Sequence, residues 1–345
     1  MKWKIQHFEF WNTHLFHLPV YLYWLYLSCK ARSLFFFSAA NPGIETGGLM
    51  GESKYRILQK IKPKYLPRTL IFTPPVTAEE VLSTLDKNDI QFPFIVKPDV
   101  GQGGWMIDLI KDHSSLENFL MNIQMPFIVQ EYITDEIELG ILYYRLPNER
   151  KGRITSVAVK ELLFVEGDGQ SSIKTLMEKN PRARKQLERL NKKDDIGLQA
   201  IPRKGEKVNV SFAGNHSYGT KFLNGNWLID DKLHAVFDEL CSNIGGFYFG
   251  RFDLRCKSFE DLKQGKFKIL ELNGAGSEPL HIFDPSANLW DAYSTAFNHW
   301  RLIYKISLIN KKLGVRYMRF KEALTTYRYV RRIQQMHNLD MTIGN

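Results

Sequence analysis

The chain has 345 residues, of which 44% are hydrophobic, 13% aromatic and 24% charged. This excludes a disordered or fixed-period repeat protein and suits about two lobes of roughly 150 residues each. Three cysteines, Cys29, Cys241 and Cys256, are too few for a disulfide framework and lack zinc-ligand spacing, which points to a reducing, cytoplasmic compartment. The net charge of +10 sits at the ends, with +3 in residues 1–40, +8 in 301–345 and −1 between them, which excludes a uniformly basic nucleic-acid binder.

Residues 15–27 form an aromatic run closed by Lys30 and Arg32 and followed by a second apolar run at 34–37. Pro19 interrupts it, and no small-residue cleavage site follows, so it is not a signal peptide. It is also shorter than the ~20 residues a spanning helix needs. Two readings stand: a helix packed on the body of the protein, or an aromatic face for a membrane interface. His7, His14 and His17 have no carboxylate or cysteine at ligand spacing and form no metal site.

Residues 69–72 read as a strand. Thr77 with Glu80 forms a capping box for a helix to about Lys87. Residues 92–97 read as a strand ended by Pro98. The glycine loop 99–105 and a second strand over 105–110 then make a hairpin. The register is not GxGxxG, and no helix follows, so the loop is not a dinucleotide fingerprint. It is either a cradle of backbone amides for phosphate or a plain flexible hairpin. Lys97 ends the strand pointing at whatever the loop covers. The glycine-rich stretch 47–54 is not a Walker A loop, and the protein-kinase signature set is absent.

Residues 127–133 read as a buried strand, and 139–145 with 154–160 as an antiparallel pair. In 247–255, Arg251 and Asp253 stand two apart on one strand face, as do Glu271 and Asn273 in 267–273. Asp253, Glu271 and Asn273 at one point would suit Mg²⁺ with a phosphate co-ligand. Alternating polar residues also describe a solvated face, but Phe252, Ile269, Leu270 and Leu272 favour a buried sheet. From residue 289 to about 335 the pattern is helical, with Leu302, Ile303, Ile306, Ile309 and Leu313 at three-to-four spacing. Its basic residues form a solvated face or meet an anionic leaflet.

In order and spacing, these motifs over residues 53–285 resemble the ATP-grasp superfamily, particularly D-alanine–D-alanine ligases and other carboxylate–amine ligases. The resemblance implies an α+β fold of two lobes clasping ATP. It implies that Lys54 and Lys97 hold the α- and β-phosphates under Gly101, Gly103 and Gly104. Adenine would meet the hinge Glu131, Tyr132 and Ile133, and ribose would meet Glu138. Mg²⁺, or Mn²⁺ in its place, would be held by Asp253, Glu271 and Asn273. Arg251 would hold the oxyanion of a tetrahedral intermediate. Lys160, with residues 167–169 and 172–176, resembles the cyanophycin-synthetase-like and glutamate–cysteine-ligase-like relatives, in which a lysine reaches the transferred phosphate.

The expected organisation is an aromatic segment (1–50), an ATP-grasp core (51–285, with a hairpin lobe at about 69–130 and a metal-binding lobe at about 131–285) and a basic helical extension (286–345). The expected activity is an ATP-dependent ligation of a carboxylate to an amine through an acylphosphate, on small-molecule or envelope-precursor substrates. Transfer to a thiol or hydroxyl, or nucleotide binding without turnover, are the alternatives. No nucleic-acid partner is expected. The expected location is cytoplasmic, with peripheral contact at the inner membrane face as the second reading of the aromatic end.

The resemblance has departures. Only about 50 residues precede Lys54, with no βαβ pattern, and the loop 274–281 differs from the D-alanine ligase sequence. Loop 41–48 is therefore the candidate for acceptor-side contacts. Loop 215–220 is a substrate or phosphate loop, or else a polar hairpin. His281 and Asp284 make substrate contacts or structural hydrogen bonds. Trp227, Tyr218 and 247–249 read as packing.

Overall fold

The computed structural model describes residues 8, 11–101, 103–184, 186–187, 197–211, 214 and 219–343; in the last helix, side chains are described to residue 333 and for 335. His7, Tyr218, Gln102 of the glycine loop and residues 215–218 of the loop at 215–220 lie outside the described residues.

The hairpin lobe is a four-stranded antiparallel sheet in the order β1 (Thr69–Phe72), β4 (Phe127–Glu131), β2 (Phe94–Pro98), β3 (Asp108–Ile110). Helices α3 (Ala78–Asp86) and α4 (His113–Asn122) pack on it through Val81, Leu85 and Leu116 against Phe94, Val96 and Phe127. The Thr77–Glu80 capping box that starts α3 is present in full. The hairpin's second strand is shorter than its sequence pattern. Gly103, Gly104 and Met106 take φ of 69°, 78° and 52°, so residues 103–106 form the turn and pairing begins only at Asp108.

The large lobe is a five-stranded antiparallel sheet in the order β11 (Lys268–Asn273), β10 (Phe249–Cys256), β5 (Ile137–Tyr144), β6 (Arg153–Glu161), β9 (Lys221–Asn224). Strand alternation sorts its two faces. Phe252 and Leu254 of β10, with Leu139, Ile141 and Ile269, turn to helices α7 (Asp231–Ser242) and α8 (Phe259–Lys263). Phe237 of α7 meets Phe252 edge-on at 5.4 Å between ring centroids. Arg251, Asp253 and Arg255 alternate with these residues and turn to the opposite face. A satellite core of Leu163, Val165, Ile173, Met177 and Val210 holds the two-stranded ribbon β7 (Phe164–Glu166) and β8 (Lys207–Asn209) against α5 (Ile173–Lys179) and α6 (Pro181–Arg184).

The two ends of the chain pack on the large lobe together. Helix α1 (Thr13–Ala31) and helix α9 (Leu289–Lys312) share a core with the sheet built from Leu27, Phe36, Leu142, Phe249, Ile303 and Ile306. The packing reading of the N-terminal segment therefore holds for one face of α1. The C-terminal helical stretch is two helices rather than one. It breaks after Lys312, where Gly314 has φ +95° and Leu313 is exposed, and resumes as α10 (Phe320–Ile343). Ile333 of α10 is buried in the hairpin-lobe core, so the C-terminal chain touches both lobes. Helix α2 (Lys54–Leu58) lies between the lobes, its first turn tied to the end of β2.

Phe36 has no exposed surface, whereas Leu22 on the outer face of α1 is 61% exposed. Phe36→Ala is expected to cost about 3–5 kcal/mol of stability, and Leu22→Ala no more than about 0.5 kcal/mol. Urea denaturation of the two variants checks this, and equal costs would mean that the shared core of the two chain ends is misplaced.

Candidate active site

A cavity of about 650 Å³ opens between the two sheets, within the range of small-ligand sites. All of the sequence-identified residues Lys54, Lys97, Gly101, Gly103, Gly104, Glu131, Tyr132, Ile133, Glu138, Lys160, Arg251, Asp253, Glu271 and Asn273 line it.

Strand register builds its floor. Arg251 lies opposite Asn273 and Asp253 opposite Glu271 across β10 and β11, while Arg255 lies opposite Glu138 across β10 and β5, and Glu138 opposite Lys160 across β5 and β6. Arg251 donates through Nε (2.8 Å) and Nη2 (3.1 Å) to the two oxygens of Asp253. Asn273 Nδ2 donates to Asp253 Oδ2 at 3.2 Å, and Lys160 Nζ stands 3.4 Å from Asp253 Oδ1 and 3.1 Å from Glu138 Oε1. Arg255 donates through Nε (3.0 Å) and Nη2 (2.9 Å) to Glu138 Oε2 and through Nη1 to the Ile133 carbonyl (2.6 Å). Burial pushes the Asp253 carboxyl up, but Arg251 and Lys160 outweigh it and hold the group below the usual carboxylate range.

The roof comes from the hairpin lobe. Lys97 is 5% exposed, and its Nζ donates to Gln130 Oε1 (3.1 Å) and, across the cleft, to the Leu270 carbonyl (3.0 Å). Burial lowers its pKa to about 8, partly offset by Glu271. Ser53 caps α2, and Asp99 at the end of β2 accepts from Ser53 Oγ (3.0 Å) and Tyr55 N (2.8 Å). Lys54, held between those two contacts, donates to the Gly101 carbonyl and lies 3.9 Å from Glu271. Lys97 of the hairpin lobe and Lys54 of α2 thus stand on one side of the cleft, with the glycine turn beside them.

Among the described residues no three His, Cys, Asp or Glu side chains cluster as a ready-made metal site. The donor set still fits a hard cation. Asp253 and Glu271 are cross-strand partners, Glu271 keeps 30% of its side chain exposed, and the Asn273 amide bonds Asp253 through nitrogen, leaving its oxygen as a further donor. Two carboxylates and an amide leave several octahedral positions for phosphate and water, as Mg²⁺ requires.

The far end of the cavity was not legible as a unit in the sequence. Phe8, Trp11, Phe16 and His17 line it together with Phe283 and Glu278. His17 Nε2 pairs with Glu278 Oε1; burial pulls the imidazole down, but Glu278 outweighs this and raises its pKa. Glu52 also lines the cavity. Its Oε2 has no hydrogen-bond partner among the described residues, and burial raises its pKa. Gly48, the last residue of the candidate acceptor loop, lines the cavity as well, with Leu49 next to it. A Cβ on Gly48 would stand 2.6 Å from Gly274 Cα, so the two loops pack backbone to backbone, joined by Gly276 N to the Gly48 carbonyl (2.8 Å). Asn41 is structural instead: its amide bonds Gly47, Tyr248 and Phe249. His281 and Asp284 likewise make structural hydrogen bonds, to Ser156 Oγ and to the backbone of Asn224 and Ser286. Phe247 and Phe249 are core, and Trp227 packs its exposed ring edge-on with Phe259.

No family model matches the chain, and neither does any curated protein. Among solved structures it is similar to the VanG D-Ala:D-Ser ligase from Enterococcus faecalis (14% identity, TM-score 0.43, covering 76% of this chain and 64% of that one). It is also similar to a D-alanine–D-alanine ligase from Bacillus anthracis (13%, 0.45, 82% and 72%) and to a bifunctional glutathione synthetase from Pasteurella multocida (14%, 0.34, 73% and 38%). The chain thus spans less than two thirds of the first of these, and the three assign it neither substrate nor reaction. The α+β architecture of two lobes around a cleft, which the ATP-grasp resemblance implies, is the fold of this chain.

With Lys97 charged below pH 8 and neutral above, the phosphate role that the resemblance implies for it predicts an ATP affinity that falls as pH rises through about 8. Lys97→Arg stays charged and flattens this dependence. Titration calorimetry with ATP on either side of pH 8 checks this, and identical slopes in the two proteins would remove Lys97 from phosphate binding.

Proposed function

We propose that the chain is an ATP- and Mg²⁺-dependent ligase that joins a carboxylate to an amine through an acylphosphate. The observation that carries this reading is the shared face of β10, β11 and β6. There Arg251, Asp253, Lys160, Glu271 and Asn273 converge opposite the cations Lys97 of the hairpin lobe and Lys54 of α2, the helix between the lobes.

In the first step a substrate carboxylate oxygen bonds to the γ-phosphorus and the bond to ADP breaks. In the second an amine bonds to the acyl carbon and phosphate leaves, its proton passing to solvent. Asp253, Glu271 and Asn273 would hold Mg²⁺, which would supply charge neutralisation to the transferred group. The protein's own part is positioning. Lys54 and Lys97 hold the triphosphate in line under the glycine turn. Glu131, Tyr132 and Ile133 border the place for the base. Glu138 fixes Lys160 and Arg255 in place, and its nearness to the hinge through Arg255 suits the ribose role. Arg251, already oriented by Asp253, presents its guanidinium edge to the acyl oxygen, where one such donor is worth about 2.7–4 kcal/mol of barrier. The acceptor side combines the aromatic wall Phe8, Trp11 and Phe16 with the carboxylates Glu52 and Glu278. That pairing suits an amine carried on an apolar group.

The test is incubation with ATP, Mg²⁺ and pooled carboxylates and amines, reading ADP and product mass separately. The expected product is one carboxylate plus one amine less water, formed with stoichiometric ADP. A mass gain of a phosphoryl group on an alcohol, a thioester, or no ADP would replace the reading. In the same assay Asp253→Asn should lower turnover at least about 100-fold while ATP binding persists; wild-type turnover in that variant would put the metal on another strand.

A further inference from the structure

Helix α1 is apolar on two opposite faces. Phe16, Val20, Leu27 and Ala31 are buried against the body. Leu15, Leu18, Leu22, Leu25 and Tyr26 are 43–61% exposed, and at 100° per residue they cover about 100° of the helix on the side away from that core. An apolar stripe of this width on a helix whose other face is already packed leaves a surface that water disfavours.

The helix that carries the stripe and most of the helix beside it hold basic residues and no carboxylate, while Glu278, from loop 274–281, is paired with His17. No aspartate or glutamate occurs between Glu9 and Glu45, nor between Asp291 and Glu322. Those two stretches hold α1 and most of α9, which lie side by side. Tyr23 of α1 meets Phe297 of α9 at 5.0 Å between ring centroids, and Lys30 stands over both Tyr26 (5.4 Å) and Tyr304 of α9 (6.0 Å). Arg301 and Lys305 are exposed on α9 within a turn or so of these contacts, and Lys30 and Arg32 are exposed at the end of α1. The stripe thus has a basic margin and no carboxylate of its own.

We propose that the outer face of α1, with the basic margin of Lys30, Arg32, Arg301 and Lys305, docks on an anionic lipid bilayer. Aliphatic side chains flanked by tyrosine and cations match the interfacial pattern, in which leucines enter the acyl boundary and cations meet headgroup phosphates. No described helix is long and apolar enough to cross a membrane, so α1 lies along the surface. Its inner face stays anchored, and docking needs no unfolding. Phe16 and His17 of the same helix line the cavity, which places the acceptor end within about one helix diameter, ~10 Å, of the bilayer.

Flotation of the full chain with vesicles tests this independently of any enzymatic activity. At low salt the protein is expected to float with phosphatidylglycerol-containing vesicles and not with pure phosphatidylcholine, and to release as salt rises. Leu18→Asp with Leu22→Asp, neither of which lines the cavity, should abolish flotation at an unchanged melting temperature. Arg301→Gln with Lys305→Gln should lower partitioning on the order of tenfold. Protein that stays at the bottom with anionic vesicles at low salt overturns the proposal, as does undiminished flotation of the double-aspartate variant. A concentration-dependent dimer in sedimentation, abolished by the same variant and unaffected by vesicles, would assign the stripe to a second copy of the chain instead.

Discussion

Two buried carboxylates, Asp253 and Glu138, set the geometry of the cleft. Each sits in a sheet interior where an unpaired charge would cost several kcal/mol. Each is compensated: Asp253 by Arg251 and Lys160, Glu138 by Arg255 and Lys160. Lys160 belongs to both clusters and joins them into one network across β6, β5 and β10. Because the partners come from three consecutive strands of one sheet, the register that pairs the backbone also fixes the side chains. A one-residue slip would turn the whole set to the opposite face. In the proposed reaction Arg251 and Lys160, which balance these carboxylates, also face the transferred group, so stability and chemistry would draw on the same contacts.

The hairpin lobe attaches to this network at few points. Lys97 and Gln130 reach the Leu270 carbonyl, and Lys54 approaches Glu271. The ends of the chain then close the remaining side. Helix α1 packs on α9 and contributes cavity wall, while α10 runs back to the hairpin-lobe core. The N-terminal segment thereby walls that end of the cleft. The lining it brings is aromatic, with one histidine–glutamate pair, and the pocket's preference at that end follows from it.

Much of the sheet was legible because strand alternation is written locally. Arg251 with Asp253 and Glu271 with Asn273 announce a polar face every second residue, and the Thr77–Glu80 box announces a helix start. Arg255 continues the same alternation, yet its significance depends on Glu138, more than a hundred residues away and brought opposite only by β5 pairing. Glu52 and Glu278 carry no motif at all; their place depends on how loops 48–52 and 274–278 pack. The hairpin strand was read too long because Trp105–Ile107 looks extended while the glycines before it bend the backbone to positive φ. The helical stretch after residue 289 hides its break, since Gly314 is a single residue in an otherwise favourable run. The aromatic N-terminal segment admitted two readings because it has two apolar faces, and only packing shows which one the body covers.

The central claim is that metal and nucleotide bind together at the face of β10 and β11, between lysines of both lobes. The most direct measurement is the melting temperature with Mg²⁺ and ATP, with ATP and EDTA, and with Mg²⁺ alone. In the proposed site Asp253, Glu271 and Asn273 would hold a cation weakly unless phosphate oxygens completed its shell. The account therefore predicts a large rise with Mg²⁺ and ATP together and small ones with either alone. Equal shifts for ATP with and without metal, or none at all, would contradict it.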